Sequence, residues 1–228
     1  MATPAEQSAT SDHFADARKC MVDSQVRPNR VTDPRILAAM RRLPRERFLP
    51  AHLAALAYAD ENVPLGNGRF MLEPMVLAKL LQAAVLRENE SVLVVGCSTG
   101  YGAALLAACG CRVTALEEDP SLAWFARGIL PAEAPGVTVV SGPLGAGWPA
   151  HAPYDLILIE GAVPQIPPAL AAQTRQETGR IIAAICGDGR ITQAVIAEAT
   201  GVGLGISTLF DCATPPLPSL RQAAVFAF

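Results

Sequence analysis

Residues 91–107, SVLVVGCSTGYGAALLA, constrain the fold more than any other stretch of this chain. An unbroken apolar run stops at Gly96, a turn of small residues follows, and a helix-forming segment begins near Gly100. Such a run is far shorter than the roughly 20 residues needed to cross a bilayer. It suits a strand covered on both faces, as in a parallel sheet. The pattern then repeats. Strands are expected at Arg112–Leu116, Val137–Ser141, Tyr154–Ile159 and Arg180–Ile185, with helices at Ser121–Ile129 and Pro167–Gln173. This alternation implies an α/β chain with a Rossmann-like parallel sheet and right-handed crossovers. A β-rich stretch follows at Ile191–Ala197, Gly205–Phe210 and Ala223–Phe228.

Upstream, Met1–Asp12 is expected to be disordered, and Phe14–Val26 reads as a helix stopped by Pro28. Thr32-Asp33-Pro34 is a helix start, with Ile36, Leu37, Met40 and Leu43 on one face. Leu53–Tyr58 reads as a short helix, and Pro74–Ala84 as a longer one with Val76, Leu77, Leu80 and Leu81 inward. Between them Val63–Pro74, with two glycines and two prolines, reads as a loop. The expected division is a disordered segment over 1–12, a helical lobe with a loop over 13–90, and the sheet domain over 91–228. The prolines of Thr214–Leu220 suggest an irregular segment covering a sheet edge.

Hydrophobic residues make up 51% of the 228, and the mean hydropathy is +0.30, yet no run is long enough to span a membrane. Met1–Asp12 has no apolar core of a secretory signal, so a cytoplasmic location and no membrane partner are expected. With a net charge of −3, and only a local cluster at Arg41, Arg42, Arg45 and Arg47, nucleic acid is not an expected partner. Six cysteines without a C-x-x-C pair read as reduced and mostly buried, and no metal site is expected.

The turn after Gly96 carries the chemistry. Ligands of open α/β sheets bind beyond the carboxyl ends of the strands, where glycine permits close approach and a helix N-terminus offers free N–H groups. Gly96, Cys97, Ser98, Gly100 and Tyr101 form that turn, and Glu117 ends the next strand. A carboxylate there is placed to accept hydrogen bonds from two ribose hydroxyls. With Ser98 in the middle, the turn is not G-x-G-x-x-G. The pattern therefore implies an adenosine-ribose site open to either NAD or S-adenosylmethionine, and a plain strand–turn–helix connection is its bland alternative.

Segments between about residues 21 and 185 resemble the protein-L-isoaspartate O-methyltransferases. The similarity is carried by DPRILAAM and PRERFLP, by AYADENVPLGNGRFMLEP, by VLVVGCSTGYGAALLA, and by GPLGAGWPAHAPYDLILIEGAVPQIPPALAAQ. The resemblance implies a Rossmann-like S-adenosylmethionine-dependent methyltransferase sheet with an N-terminal helical lobe. It also implies S-adenosyl-L-methionine as cofactor and transfer of its methyl to the α-carboxylate of isoaspartyl residues in damaged proteins or peptides. A carboxylate is already ionised at neutral pH, so alignment and exclusion of water would do most of the work.

The departures from that family are specific. Its Q-T-I-S-Q-P loop is here Arg69–Pro74, with Phe70 for threonine and Leu72 for serine. Arg69, Phe70 and Leu72 are the acceptor-side candidates, with Arg69 read either as a carboxylate partner or as a solvated loop residue. On the cofactor side Val94 replaces an acidic residue and Ser98 a glycine. Pro143, beside Leu144, replaces the aspartate that contacts the adenine amino group, and Glu160-Gly161-Ala162 replaces T-A-A. Each lost hydrogen bond to a buried group costs on the order of 1–3 kcal/mol, so weak cofactor binding is expected. Two alternatives stay open: a methyltransferase with a less polar small acceptor, and a non-catalytic paralogue with a binding role.

Overall fold

The computed structural model describes residues 4–186, 191–200 and 203–221. Helix α1 spans Pro4–Met21 and runs on through a π turn at Val22–Val26, so the helix begins well before Phe14 and takes in most of the stretch expected to be disordered. Helix α2 covers Pro34–Arg42, and Asp33 caps it by accepting from Arg35 N at 2.9 Å. Val63–Pro74 contains a β-hairpin rather than a loop: β1 is Val63–Gly66 and β2 is Arg69–Met71. Asn67 and Gly68, at φ +50° and +71°, make the two-residue connection with both central residues left-handed. Helix α3 spans Pro74–Ala83.

The sheet then builds as expected through β3 (Ser91–Val95), α4 (Tyr101–Ala108), β4 (Arg112–Glu117), α5 (Pro120–Glu133) and β5 (Thr138–Ser141). It continues with β6 (Leu156–Val163), α6 (Pro168–Ala171), β7 (Arg180–Ile185), β8 (Gln193–Thr200) and β9 (Gly203–Asp211). The strand order is β5-β4-β3-β6-β7-β8-β9. The first five are mutually parallel, whereas β8 and β9 join antiparallel. The sheet is therefore mixed, because a short connection from β7 to β8 can only return antiparallel. Ala223–Phe228, the last expected strand, lies outside the described residues.

Alternate residues of β3 feed opposite cores. Val92 and Val94 pack with the N-terminal lobe, including Ile36, Met40, Leu77 and Leu81, while Leu93 and Val95 pack with Ile157, Ile159, Leu170 and Ile181. That is why this strand reads as continuously apolar. The order reverses between β4-β3 and β6, so the carboxyl ends of β3, β4 and β6 surround the switch point where ligands of such sheets bind.

Among the described residues no helix is long and apolar enough to cross a membrane. No group of three or more His, Cys, Asp or Glu side chains there is placed to hold a metal ion. All six cysteines are unpaired.

Candidate active site

Glu117 ends β4 fully buried, and both of its oxygens are occupied. Oε1 accepts from Glu118 N at 2.9 Å and Asp119 N at 3.0 Å, and Oε2 from Ser98 N at 2.7 Å. The fourth and fifth partners come from Arg69, whose Nη1 and Nη2 meet Oε1 and Oε2 at 2.5 and 2.9 Å. Nη2 also donates to Gly96 O at 3.0 Å and Ser98 Oγ at 3.2 Å. Such bidentate guanidinium–carboxylate pairs are among the strong hydrogen-bonded contacts in proteins. Arg69 is only 4% exposed, so the solvated loop reading is wrong: the hairpin turn swings β2 across the strand ends and lays its side chain in the mouth.

The remaining turn residues lie as follows. Gly100, at φ +96°, caps α4, and Tyr101 begins it. The Cys97 thiol is pushed well up by burial and by the neighbouring Glu117, which leaves it protonated and a poor nucleophile. Pro143 precedes Leu144, which is buried and closes on Gly96 together with Leu217. Phe70 O accepts from Ser98 Oγ at 3.3 Å. Met71 and Leu72 pack into the lobe-side core, and Leu72 O accepts from Arg45 Nη2 at 2.6 Å.

Beside this lies a second polar cluster. Leu158 of β6 pairs with Ile182, but Ala162 pairs with Ala184, so two extra residues bulge from β6 and re-aim Glu160. Its carboxyl packs so closely on α4 that a β-carbon at Gly102 would stand 1.7 Å from Oε1. Burial raises the Glu160 carboxyl to about 8; Arg69 and Arg45 oppose that rise and Glu117 adds to it. Glu160 Oε1, Tyr101 Oη, Thr99 Oγ1 and Arg45 Nη1 are buried with no partner among the described residues. Arg45 stacks 4.8 Å from the Tyr101 ring centroid, and burial pushes the phenol up to about 12.

The Thr214–Leu220 segment does not cover a sheet edge. It crosses the carboxyl ends of the central strands: Ala162 N donates to Pro215 O at 2.8 Å and Leu217 N to Ala162 O at 2.9 Å. A β-carbon at Gly161 would stand 2.5 Å from Leu217 Cγ, so glycine is what admits that side chain. The cavity left among Arg69, Phe70, Leu72, Glu160 and Leu217 is about 10 Å³. That is room for one water. A wider groove of about 690 Å³ opens between α6 and the β8–β9 hairpin, far from these strand ends.

The residues matched to a family model described as Protein-L-isoaspartate(D-aspartate) O-methyltransferase (PCMT) are 17–200. This chain belongs to that family. A protein-L-isoaspartate O-methyltransferase of Methylorubrum populi is 41% identical over 166 residues, covering 73% of this chain and 78% of the relative. A Rhodopseudomonas palustris protein named protein-L-isoaspartate O-methyltransferase 1 is 40% identical, covering 75% and 69%. Solved structures agree in fold. One protein-L-isoaspartate O-methyltransferase superposes with TM-score 0.77 at 22% identity, covering 90% of this chain and 67% of its own. A Plasmodium falciparum structure described as a PCMT in complex with S-adenosyl-L-homocysteine gives 0.76 at 17%, covering 89% and 98%. The Rossmann-like α/β fold expected from the sequence is therefore the fold found.

The mouth as folded does not fit a nucleoside. Among the described residues, the carboxylate that would take ribose hydroxyls is saturated by five donors, Leu217 and Leu144 close over Gly96, and the cavity between Arg69 and Glu160 has room for one water. Sequence reasoning found the turn and Glu117. Glu160 enters the sequence reading only as a replacement in T-A-A, although an acidic residue after the apolar run Leu156–Ile159 is the same kind of signal that marks Glu117. Asn67-Gly68 was the legible sign of the hairpin that carries Arg69. For Leu217 no local signal exists.

Proposed function

We propose that this chain is an S-adenosyl-L-methionine-dependent methyltransferase of the isoaspartyl type, acting on proteins or peptides that carry isoaspartyl residues. The observation that carries the reading is the family match through residues 17–200, which takes in both the Gly96–Tyr101 turn and Glu117 at neighbouring strand ends. The proposed cofactor-side residues are Gly96, Cys97, Ser98, Gly100, Tyr101, Glu117, Pro143 and Leu144. Phe70 is proposed for the acceptor side, whereas Arg69, the other acceptor-side candidate of the sequence, pairs with Glu117 on the cofactor side. Leu72 belongs to the core packing, which argues against an apolar acceptor pocket built on it. A cytoplasmic location fits this reading, and neither nucleic acid nor membrane enters it.

One observation favours a second reading, a non-catalytic paralogue with a binding role: Arg69 supplies from within the chain the partner that a ribose would supply. A methyl-transfer assay with S-adenosyl-L-methionine and an isoaspartyl peptide separates the two. Slow but measurable ester formation is expected. Its absence from folded protein at saturating cofactor rejects the catalytic reading and leaves the second.

A further inference from the structure

We infer that Arg69 and the Thr214–Leu220 segment together form an internal plug that occupies the nucleoside site, so that plug and nucleoside exclude each other. The inference rests on the reading of this mouth as the cofactor site and adds how access to it is controlled.

Three sets of contacts make the plug a built feature rather than a chance closure. Arg69 reaches Glu117 from 48 residues upstream and is held at four acceptors on three residues, all beside the Gly96 turn. The segment is fixed at its start by Asn62 Nδ2 donating to Ala213 O at 2.9 Å, and over β6 by the two backbone bonds with Ala162. Pro218 then abuts the hairpin tip, with Cγ 3.0 Å from where a β-carbon of Gly68 would stand, and Leu220 Cδ2 lies 3.1 Å from where a β-carbon of Gly145 would stand. The hairpin that delivers Arg69 and the segment that delivers Leu217 therefore touch, and displacing one loosens the other.

The physical consequence is competition. A ribose can bind Glu117 only after the guanidinium has left both oxygens, and an adenosyl group can lie over Gly96 only after Leu217 has withdrawn. Apparent affinity is then the intrinsic affinity multiplied by the fraction of molecules with an open mouth. Removing either half of the plug should raise that fraction.

The test is calorimetric titration of the full chain with S-adenosyl-L-homocysteine, for the parent protein, Leu217→Ala and Arg69→Gln, with circular dichroism to establish folding. Leu217→Ala leaves every charge in place, so it carries the test if Arg69→Gln does not fold. Binding at least tenfold tighter in a folded variant is expected. Amide exchange at Ala162 and Leu217 in the parent protein should also accelerate when the nucleoside is added. Equal affinity in all three proteins, with those two amides still protected in the complex, overturns the plug while leaving the cofactor reading intact. No binding by any folded protein at millimolar nucleoside overturns both.

Discussion

Two buried arginine–glutamate pairs sit at opposite ends of the sheet. Arg69–Glu117 lies at the carboxyl ends of the strands, and Arg180–Glu90 lies beside their starts, with Nη2–Oε2 and Nη1–Oε1 distances of 2.7 and 2.9 Å. Both arginines are almost wholly buried, so both pairs carry a desolvation cost that only good geometry offsets. Their neighbours differ. Arg180 also donates to the carbonyls of Ala84, Val85 and Asp155, tying the end of α3 to β6 and β7. Arg69 reaches glycine and serine of a ligand turn instead. One pairing chemistry acts as a rivet in the first place and as a latch in the second, because only the carboxyl ends of the strands face a ligand mouth.

The sharpest way to break the comparison is to remove each arginine. Arg180→Met should cost about 3–5 kcal/mol, since it leaves the buried Glu90 carboxylate with the Arg87 amide at 3.0 Å and an exposed Arg87 guanidinium at 3.7 Å, and takes the side-chain donor from the carbonyls of Ala84 and Val85. Urea unfolding would measure this, and a loss below about 1 kcal/mol would mean that the rivet is not one. Arg69→Gln should cost less, about 2–3 kcal/mol, because three backbone N–H groups still serve Glu117. Equal losses from the two substitutions would erase the distinction drawn from their neighbours.

Glu160 sharpens the picture through pH. Its carboxyl lies at about 8 in the folded protein against an ordinary 4.5, so between those values the folded state holds a proton that the unfolded chain has released. Its contribution to stability is therefore greatest at the acid end and declines as pH rises through that window, by at most about 5 kcal/mol. Unfolding midpoints at both ends of the window should show a decline that Glu160→Gln flattens; an unchanged slope would place the group outside the proton balance. The smallest effect is expected at the hairpin turn. Asn67→Ala, at φ +50° and losing the bond from Nδ2 to Asp119 Oδ2, should cost about 1 kcal/mol, measured by thermal unfolding.

The legible parts of the molecule share one property: their signals are local. Five apolar residues ending in glycine, Asp-Pro at the starts of α2 and α5, and an acidic residue closing β4 each report on a few neighbouring φ and ψ angles and on which face is buried. The start of α1 is not legible in this way, because Pro4–Asp12 has no apolar periodicity to announce a helix.

From the sequence alone come the order of the strands and helices between Ser91 and Ile185, the ligand turn at Gly96–Tyr101, the placement of Glu117 beside it, and the family resemblance that all these carry. What that mouth holds was decided only in three dimensions. Arg69 could be read as a solvated loop residue until the hairpin turned it inward, and Leu217 belongs to a proline-rich stretch with no period at all. An ion pair across 48 residues and a side chain seated on a glycine 56 residues upstream depend on where distant backbone segments meet, and no local pattern records that meeting.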